Sequence, residues 1–204
     1  MTNPLNHPIV EQSFAIIDCE VGKHKLNAQE YVIARRVIPA TAAYEYLNLL
    51  RFNHNAIDAG IKAIKSGVPI VTDVTMVKQG IRSLVAKTFN NPVIAAIDFA
   101  KTADPGKTRT ETGLLKCYSQ YPTAIYVIGN APTALLALCV EVSKSKTMPG
   151  LVIGVPVGFV SVRESKQALT QLNIPQIIIE GRKGGSPAAA SILNALLILA
   201  SAKN

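Results

Sequence analysis

Four cations follow two apolar runs in the last third of the chain, and their setting is suited to binding anions. Leu151-Val-Ile-Gly-Val-Pro-Val-Gly-Phe-Val160 leads into Arg163-Glu-Ser-Lys166, and Gln176-Ile-Ile-Ile-Glu180 leads into Gly181-Arg-Lys-Gly-Gly-Ser-Pro187. A guanidinium can pair with a carboxylate through two parallel hydrogen bonds, so Arg163 and Arg182 are candidate anchors beside Lys166 and Lys183. Gly184 and Gly185 let backbone amides approach a ligand, and the helix start after them adds a partial positive charge. The same segment also reads as a tight strand-to-helix turn with exposed cations. Both readings stand on the sequence alone.

Three further places carry polar groups at the ends of apolar runs. Gly129-Asn-Ala-Pro-Thr-Ala134 offers Asn130 and Thr133 either as donors to a ligand carboxylate or as caps of the following helix. Asp73, before Thr75 and Met76, is either an acceptor facing a ligand or a structural cap. Thr108 and Arg109 open a helical pattern, where the arginine is either a carboxylate clamp or a surface charge.

Several chemistries find no support. The histidines are His7, His24 and His54, none at the end of an expected strand. Clustered His, Cys or carboxylates that would suit a metal are missing, as are a G-x-S-x-G elbow, a P-loop and a G-x-G-x-x-G dinucleotide fingerprint. No cofactor and no metal are expected.

The elements that must position these residues follow from periodicity. Residues 8–20 read as a helix start or a short strand. Asn27 with Glu30 forms a capping box, so a helix runs through Arg36 until Pro39 ends it. Residues 40–50 resume a helical pattern, and residues 55–66 form an amphipathic helix stopped by Gly67. Expected strands are 69–71 running to Asp73, 93–97, 124–128, 151–153 and 176–179. This is an α/β chain with a mainly parallel, doubly wound sheet of about five strands. We expect a single domain over 1–204, with a helical part over about 1–66 and β/α alternation over 67–204. The polar stretch 98–110 reads as a rim or lid of the site, because long irregular loops are usually functional.

Composition narrows the partners. The net charge is +8, from 21 Lys and Arg against 13 Asp and Glu. Nucleic acid is not expected, because aromatics are only 5%, Trp is absent and base stacking needs such rings. Cys19, Cys117 and Cys139 are far apart with no C-x-x-C pair, and no secretory signal is recognisable, which fits reduced thiols in the cytoplasm. Residues 188–202 contain Ser191 and Asn194 and fall short of the roughly 20 residues a membrane span needs. They read as a core-facing terminal helix, and no membrane partner is expected.

Taken in order, the motifs resemble one family along nearly the whole chain: precorrin-8X methylmutase, also described as cobalt-precorrin-8 methylmutase, of cobalamin biosynthesis. The matching segments begin with Glu11-Gln-Ser-Phe14, Arg36-Val-Ile-Pro-Ala-Thr41, Tyr44-Glu-Tyr46, Val71-Thr-Asp-Val-Thr-Met-Val77 and Thr108-Arg109. They continue through Ile128-Gly-Asn-Ala-Pro-Thr-Ala-Leu135, Ile153-Gly-Val-Pro-Val-Gly-Phe-Val160, Glu164-Ser-Lys166, Gly181-Arg-Lys-Gly-Gly-Ser186 and Asn194-Ala-Leu196.

The resemblance implies a three-layer α/β/α fold, a homodimer with sites near the subunit interface, and an isomerase that moves a methyl group from C-11 to C-12 of a polycarboxylate corrin precursor. It implies carboxylate anchoring by Arg36, Arg109, Lys166 and Arg182, and polar contacts from Ser13, Thr41, Asp73, Asn130 and Thr133. Gly184 and Gly185 would supply backbone approach. Where the family carries a histidine assigned the acid role, this chain has Pro39, and where it commonly has an aspartate, Ala43 stands. Proline has neither a titratable group nor an amide donor. The catalytic residue is therefore unassigned, with Tyr44, Glu45 and Tyr46 as substitute donors. Two functions stay open: a methylmutase working without the histidine, and a corrinoid-binding paralogue or carrier without turnover.

Overall fold

The computed structural model describes residues 5–53 and 55–202, so His54 lies outside the described residues. The chain opens with helix α1 (Pro8–Val21), which resolves the first ambiguous segment as helical. Helix α2 (Ala28–Val37) begins at the expected box: Glu30 N–H donates to Asn27 Oδ1 at 3.0 Å, and Asn27 N–H donates to the Glu30 carboxylate at 2.9 Å. Pro39 then sits in a 3₁₀ turn, Ile38–Ala40.

The helical pattern expected over 40–50 is mostly not a helix. A turn with Ala42 at φ +52° leads to one short helix, α3 (Tyr46–Leu49), and then to an edge strand, β1 (Leu50–Phe52). The sequence reading missed this strand. Only three residues long, it is defined by its partner, pairing antiparallel with Leu50 opposite Ile179. Helix α4 (Ala56–Lys65) follows.

The β/α alternation then runs β2 (Ile70–Thr72), α5 (Thr75–Lys87), β3 (Val93–Ala95), α6 (Arg109–Gln120), β4 (Ile125–Ile128), α7 (Pro132–Lys144), β5 (Leu151–Gly154), α8 (Val162–Thr170), β6 (Gln176–Ile179) and α9 (Ser186–Ser201). The sheet order is β1-β6-β5-β4-β2-β3, six strands rather than about five, with every pair parallel except β1 with β6.

Central strands β4, β5 and β6 are buried at every residue. That is why they read as unbroken apolar runs rather than alternating ones. Helices α2, α4, α5 and α9 cover one face, with Ile33, Ile64, Val77 and Leu193 fully buried. Helices α6, α7 and α8 cover the other, through Leu114, Leu135 and Leu169. Helix α9 is the expected core-facing terminal helix: Leu193, Leu196 and Leu197 are fully buried. Each such leucine stabilises the fold by about 2–5 kcal/mol relative to alanine. No helix among the described residues is long and apolar enough to cross a membrane.

Candidate functional site

From β2 the chain moves outward to β3, and from β4 it proceeds the opposite way through β5 to β6. The switch point therefore lies between the carboxyl ends of β2 and β4, where open α/β sheets receive ligands. Asp73, directly after β2, is fully buried there. One carboxylate oxygen accepts the Val74 N–H at 2.9 Å, and the other accepts the N–H groups of Asn130 at 2.6 Å and Ala131 at 2.8 Å. Burial raises this carboxyl above its ordinary range, while the N–H donors of Asn130, Gly129, Ala131 and Val74 oppose the rise. Asp73 is structural, but not as the cap expected for the next helix: α5 has Val74 at its N-cap with no side-chain cap bond. Its oxygens tie the β4–α7 loop to β2 and do not face outward.

Two neighbouring loops form the rim. Gly185 N–H donates to Val155 O at 2.9 Å, and Gly158 N–H donates to Arg182 O at 3.2 Å, so the β5–α8 and β6–α9 loops are laced together. Gly184 permits the lacing: its φ is +144°, and a Cβ there would lie 2.2 Å from Val155 O. Lys166, on α8, approaches the same loop from below. Only 2% exposed, it donates through Nζ to Gly181 O at 2.9 Å and Lys183 O at 2.6 Å. Burial lowers its ammonium to about 8, and no carboxylate among the described residues pairs with it. Beside it lies a cleft of about 510 Å³ lined by Leu49, Arg163, Lys166, Glu180 and Gly181 among others.

The rim's outer surface is cationic and apolar together. Arg163, Arg182 and Lys183 are exposed. The Arg182 guanidinium lies 5.7 Å from the centre of the Phe159 ring, and Phe159 and Val160 are 85% and 81% exposed. The sequence reading did not single out Phe159 or Val160 as site residues. The available signal was an apolar pair continuing past Gly158, beyond the end of the strand.

Arg109 is exposed on the first turn of α6, behind a capping box in which Glu111 N–H donates to Thr108 Oγ1 at 3.2 Å. Thr108 Oγ1 also lies 3.1 Å from Thr133 Oγ1, joining this loop to the start of α7. Asn130 has an exposed side chain. Stretch 98–110 begins in the end of a 3₁₀ turn (Ala96–Phe99) and continues as a loop closed by Asp104 N–H donating to Thr112 Oγ1 at 2.9 Å.

The amino-terminal candidates lie elsewhere. Arg36 bonds Asn6 and, with Phe14 and Val32, borders a cleft of about 210 Å³ against Ile198 and Leu199 near the far end of α9. Helix α9 has 16 residues, about 24 Å at the usual rise, and its first residue, Ser186, adjoins the β6–α9 loop. One chain therefore does not bring Arg36 to Arg182. The Ser13 hydroxyl donates to Ile9 O at 3.0 Å, and Thr41 is exposed after the 3₁₀ turn.

Of the substitute donors, Tyr46 is corrected by the structure: it is 3% exposed and packed in the core, so its hydroxyl does not face a ligand. Tyr44 is exposed, and its hydroxyl donates to Glu20, whose carboxylate raises the phenol above its ordinary value. Glu45 is ion-paired with Lys183, which ties the start of α3 to the rim. No group of three or more His, Cys, Asp or Glu among the described residues could hold a metal ion.

The precorrin-8X methylmutase family model matches residues 8–199. The chain belongs to this family. A cobalt-precorrin-8 methylmutase from Synechocystis is 58% identical, with 97% of each chain covered. One from Priestia megaterium is 40% identical over 93% of this chain and 86% of its own. A crystal structure of precorrin-8x methyl mutase from Thermus thermophilus matches with a TM-score of 0.86 and 38% identity, covering 95% of both chains. As a precorrin-8X methylmutase family member, the chain shares the three-layer fold of that structure. Both curated relatives are named as enzymes, and the reading of a carrier without turnover gains no support from them.

Proposed function

We propose that this protein is a methylmutase of cobalamin biosynthesis that moves a ring methyl group from C-11 to C-12 of precorrin-8 or cobalt-precorrin-8. The observation that carries the reading is 58% identity across 97% of both chains with a protein named for that reaction. The rim geometry supports it. Exposed Arg163, Arg182 and Lys183 suit the carboxylate fringe of the macrocycle, the start of α9 adds a favourable dipole, and Phe159 with Val160 suits the ring's apolar face.

In the rearrangement the bond from C-11 to the methyl carbon breaks as the bond to C-12 forms. A sigmatropic shift of this kind needs no oxidant and no covalent bond to the protein. The protein's task is to bind the rearranged ring better than the substrate and to hold its orientation. Pro39 supplies no proton, so pocket shape and charge carry the acceleration. Arg109, Arg182, Asn130 and Thr133 serve as direct contacts in this reading, with Gly184 giving backbone approach, while Gly185, whose N–H is taken by Val155 O, fixes the loop instead. Asp73 sustains the loop from inside.

We further infer a homodimer in which the partner's copies of Ser13, Arg36 and Thr41 complete the site. Supporting this, Ile9 and Ile16 are 64% and 58% exposed and, seven residues apart, share one face of α1. We assign the protein to the cytoplasm, in keeping with its free cysteines Cys19, Cys117 and Cys139.

Titrating the protein with hydrogenobyrinic acid, followed by visible absorption, tests binding, while sedimentation tests the dimer. The reading requires saturable binding, and a flat titration contradicts it.

A further inference from the structure

We propose that Lys166 is a positioning residue for the carboxylate-binding rim: from beneath the β6–α9 loop it fixes the backbone at Gly181 and Lys183, and so the direction in which Arg182 meets the substrate. The inference rests on the functional reading above. It departs from the sequence expectation that Lys166 is itself an anchor.

Burial and hydrogen bonding argue for it. An ammonium has three N–H donors, and two of them already reach Gly181 O at 2.9 Å and Lys183 O at 2.6 Å. The residue is 2% exposed, whereas Gly181, Arg182 and Lys183 are exposed. Although Lys166 borders the cleft beside it, its ammonium is engaged by the two loop carbonyls.

The loop also needs such a restraint. Gly181, Gly184 and Gly185 have φ values of +71°, +144° and +110°, backbone conformations that glycine adopts freely and leaves as freely. The other backbone ties, from Gly158 N–H to Arg182 O and from Gly185 N–H to Val155 O, join neutral groups, and the Glu45–Lys183 ion pair holds a side chain rather than the loop's carbonyls. Hydrogen bonds from an ammonium are roughly twice as strong. Without them, the exposed carbonyls of Gly181 and Lys183 can turn to water, and Arg182 loses its fixed bearing.

The test compares wild type with Lys166→Met, and with Lys166→Gln as a polar variant should the methionine form fold poorly. Two quantities are read: hydrogen exchange at the Gly185 amide without ligand, and the dissociation constant for hydrogenobyrinic acid. Positioning requires both to rise, each by roughly tenfold or more, the scale of a lost charge-assisted hydrogen bond. Weakened binding with unchanged exchange would make Lys166 a direct anchor and overturn the inference, and so would unchanged binding with faster exchange. Wild-type protein that binds no hydrogenobyrinic acid contradicts the functional reading itself, while the exchange rates still decide whether Lys166 orders the loop.

Discussion

The carboxylate of Asp73 accepts the backbone N–H of Ala131 at 2.8 Å, across 58 residues of sequence, and so bridges the switch point of the sheet from inside. The crevice that usually receives a ligand in such folds is thereby stapled shut at its floor. On the functional reading proposed above, the macrocycle rests on the loops above it. This accounts for a cationic rim built on β5–α8 and β6–α9 rather than a deep slot between β2 and β4.

Replacing Asp73 by Asn should destabilise the fold without changing its shape. The amide keeps one acceptor oxygen and turns a donor toward N–H donors, leaving a buried clash of like groups at a cost of about 1–3 kcal/mol. For a chain of this size, that lowers Tm by roughly 2–4 °C per kcal/mol. An unchanged Tm in thermal melts would show that the bridge contributes nothing.

Gly184→Ala probes the lacing of the two loops. The added methyl meets Val155 O at 2.2 Å, on a backbone with φ +144°. Holding alanine in so sparsely populated a region costs of the order of 1–3 kcal/mol, so the loop shifts instead of accepting it. We expect weaker hydrogenobyrinic acid binding with little loss in Tm, since the loop surface is open to solvent. Wild-type affinity in the alanine variant would exclude this loop from the site.

Arg182→Gln and Phe159→Ala separate charge from apolar contact. Losing the guanidinium should lower kcat/KM about tenfold or more, as a charged hydrogen bond does, and should flatten the salt dependence of binding. Losing the ring should weaken binding but preserve the salt dependence. Identical salt profiles in wild type and Arg182→Gln would remove Arg182 from the carboxylate contacts.

Stability should depend on pH through Lys166. Its ammonium titrates at about 8 in the folded chain against 10.5 for an ordinary lysine. Between those values the unfolded chain binds more protons than the folded one, so the Lys166 contribution becomes more favourable as pH rises through the window. Below about pH 8 both states are charged and the contribution is flat. Urea unfolding of wild type and Lys166→Met should give a stability difference that moves toward wild type from pH 8 to 10.5. A constant difference would place the lysine in an ordinary, solvated setting.

Much of the scaffold was legible because buried parallel strands and capped helices announce themselves. Residues 125–128, 151–154 and 176–179 are apolar runs bounded by turns, and Asn27 with Glu30 caps α2 as its spacing demands. Strand β1 was not legible, since Leu50-Arg-Phe52 becomes a strand only by pairing with β6. The site was legible as a set of residue types but not as directions. Lysine is rarely buried, so nothing in Glu164-Ser-Lys166 distinguished a pin beneath a loop from a surface anchor. Tyr44 and Tyr46, two positions apart, looked equivalent in sequence. The short helix α3 sends Tyr46 into the core and leaves Tyr44 outside.

The most direct test of the central claim is single-turnover conversion of precorrin-8 by the protein in excess, with the recovered pigment separated by chromatography and compared between wild type and Pro39→His. The account predicts that wild type yields the rearranged corrin, and that restoring the histidine accelerates the step by no more than the 10²- to 10⁴-fold typical of a general acid. Pigment recovered unchanged from saturated wild-type protein would contradict it.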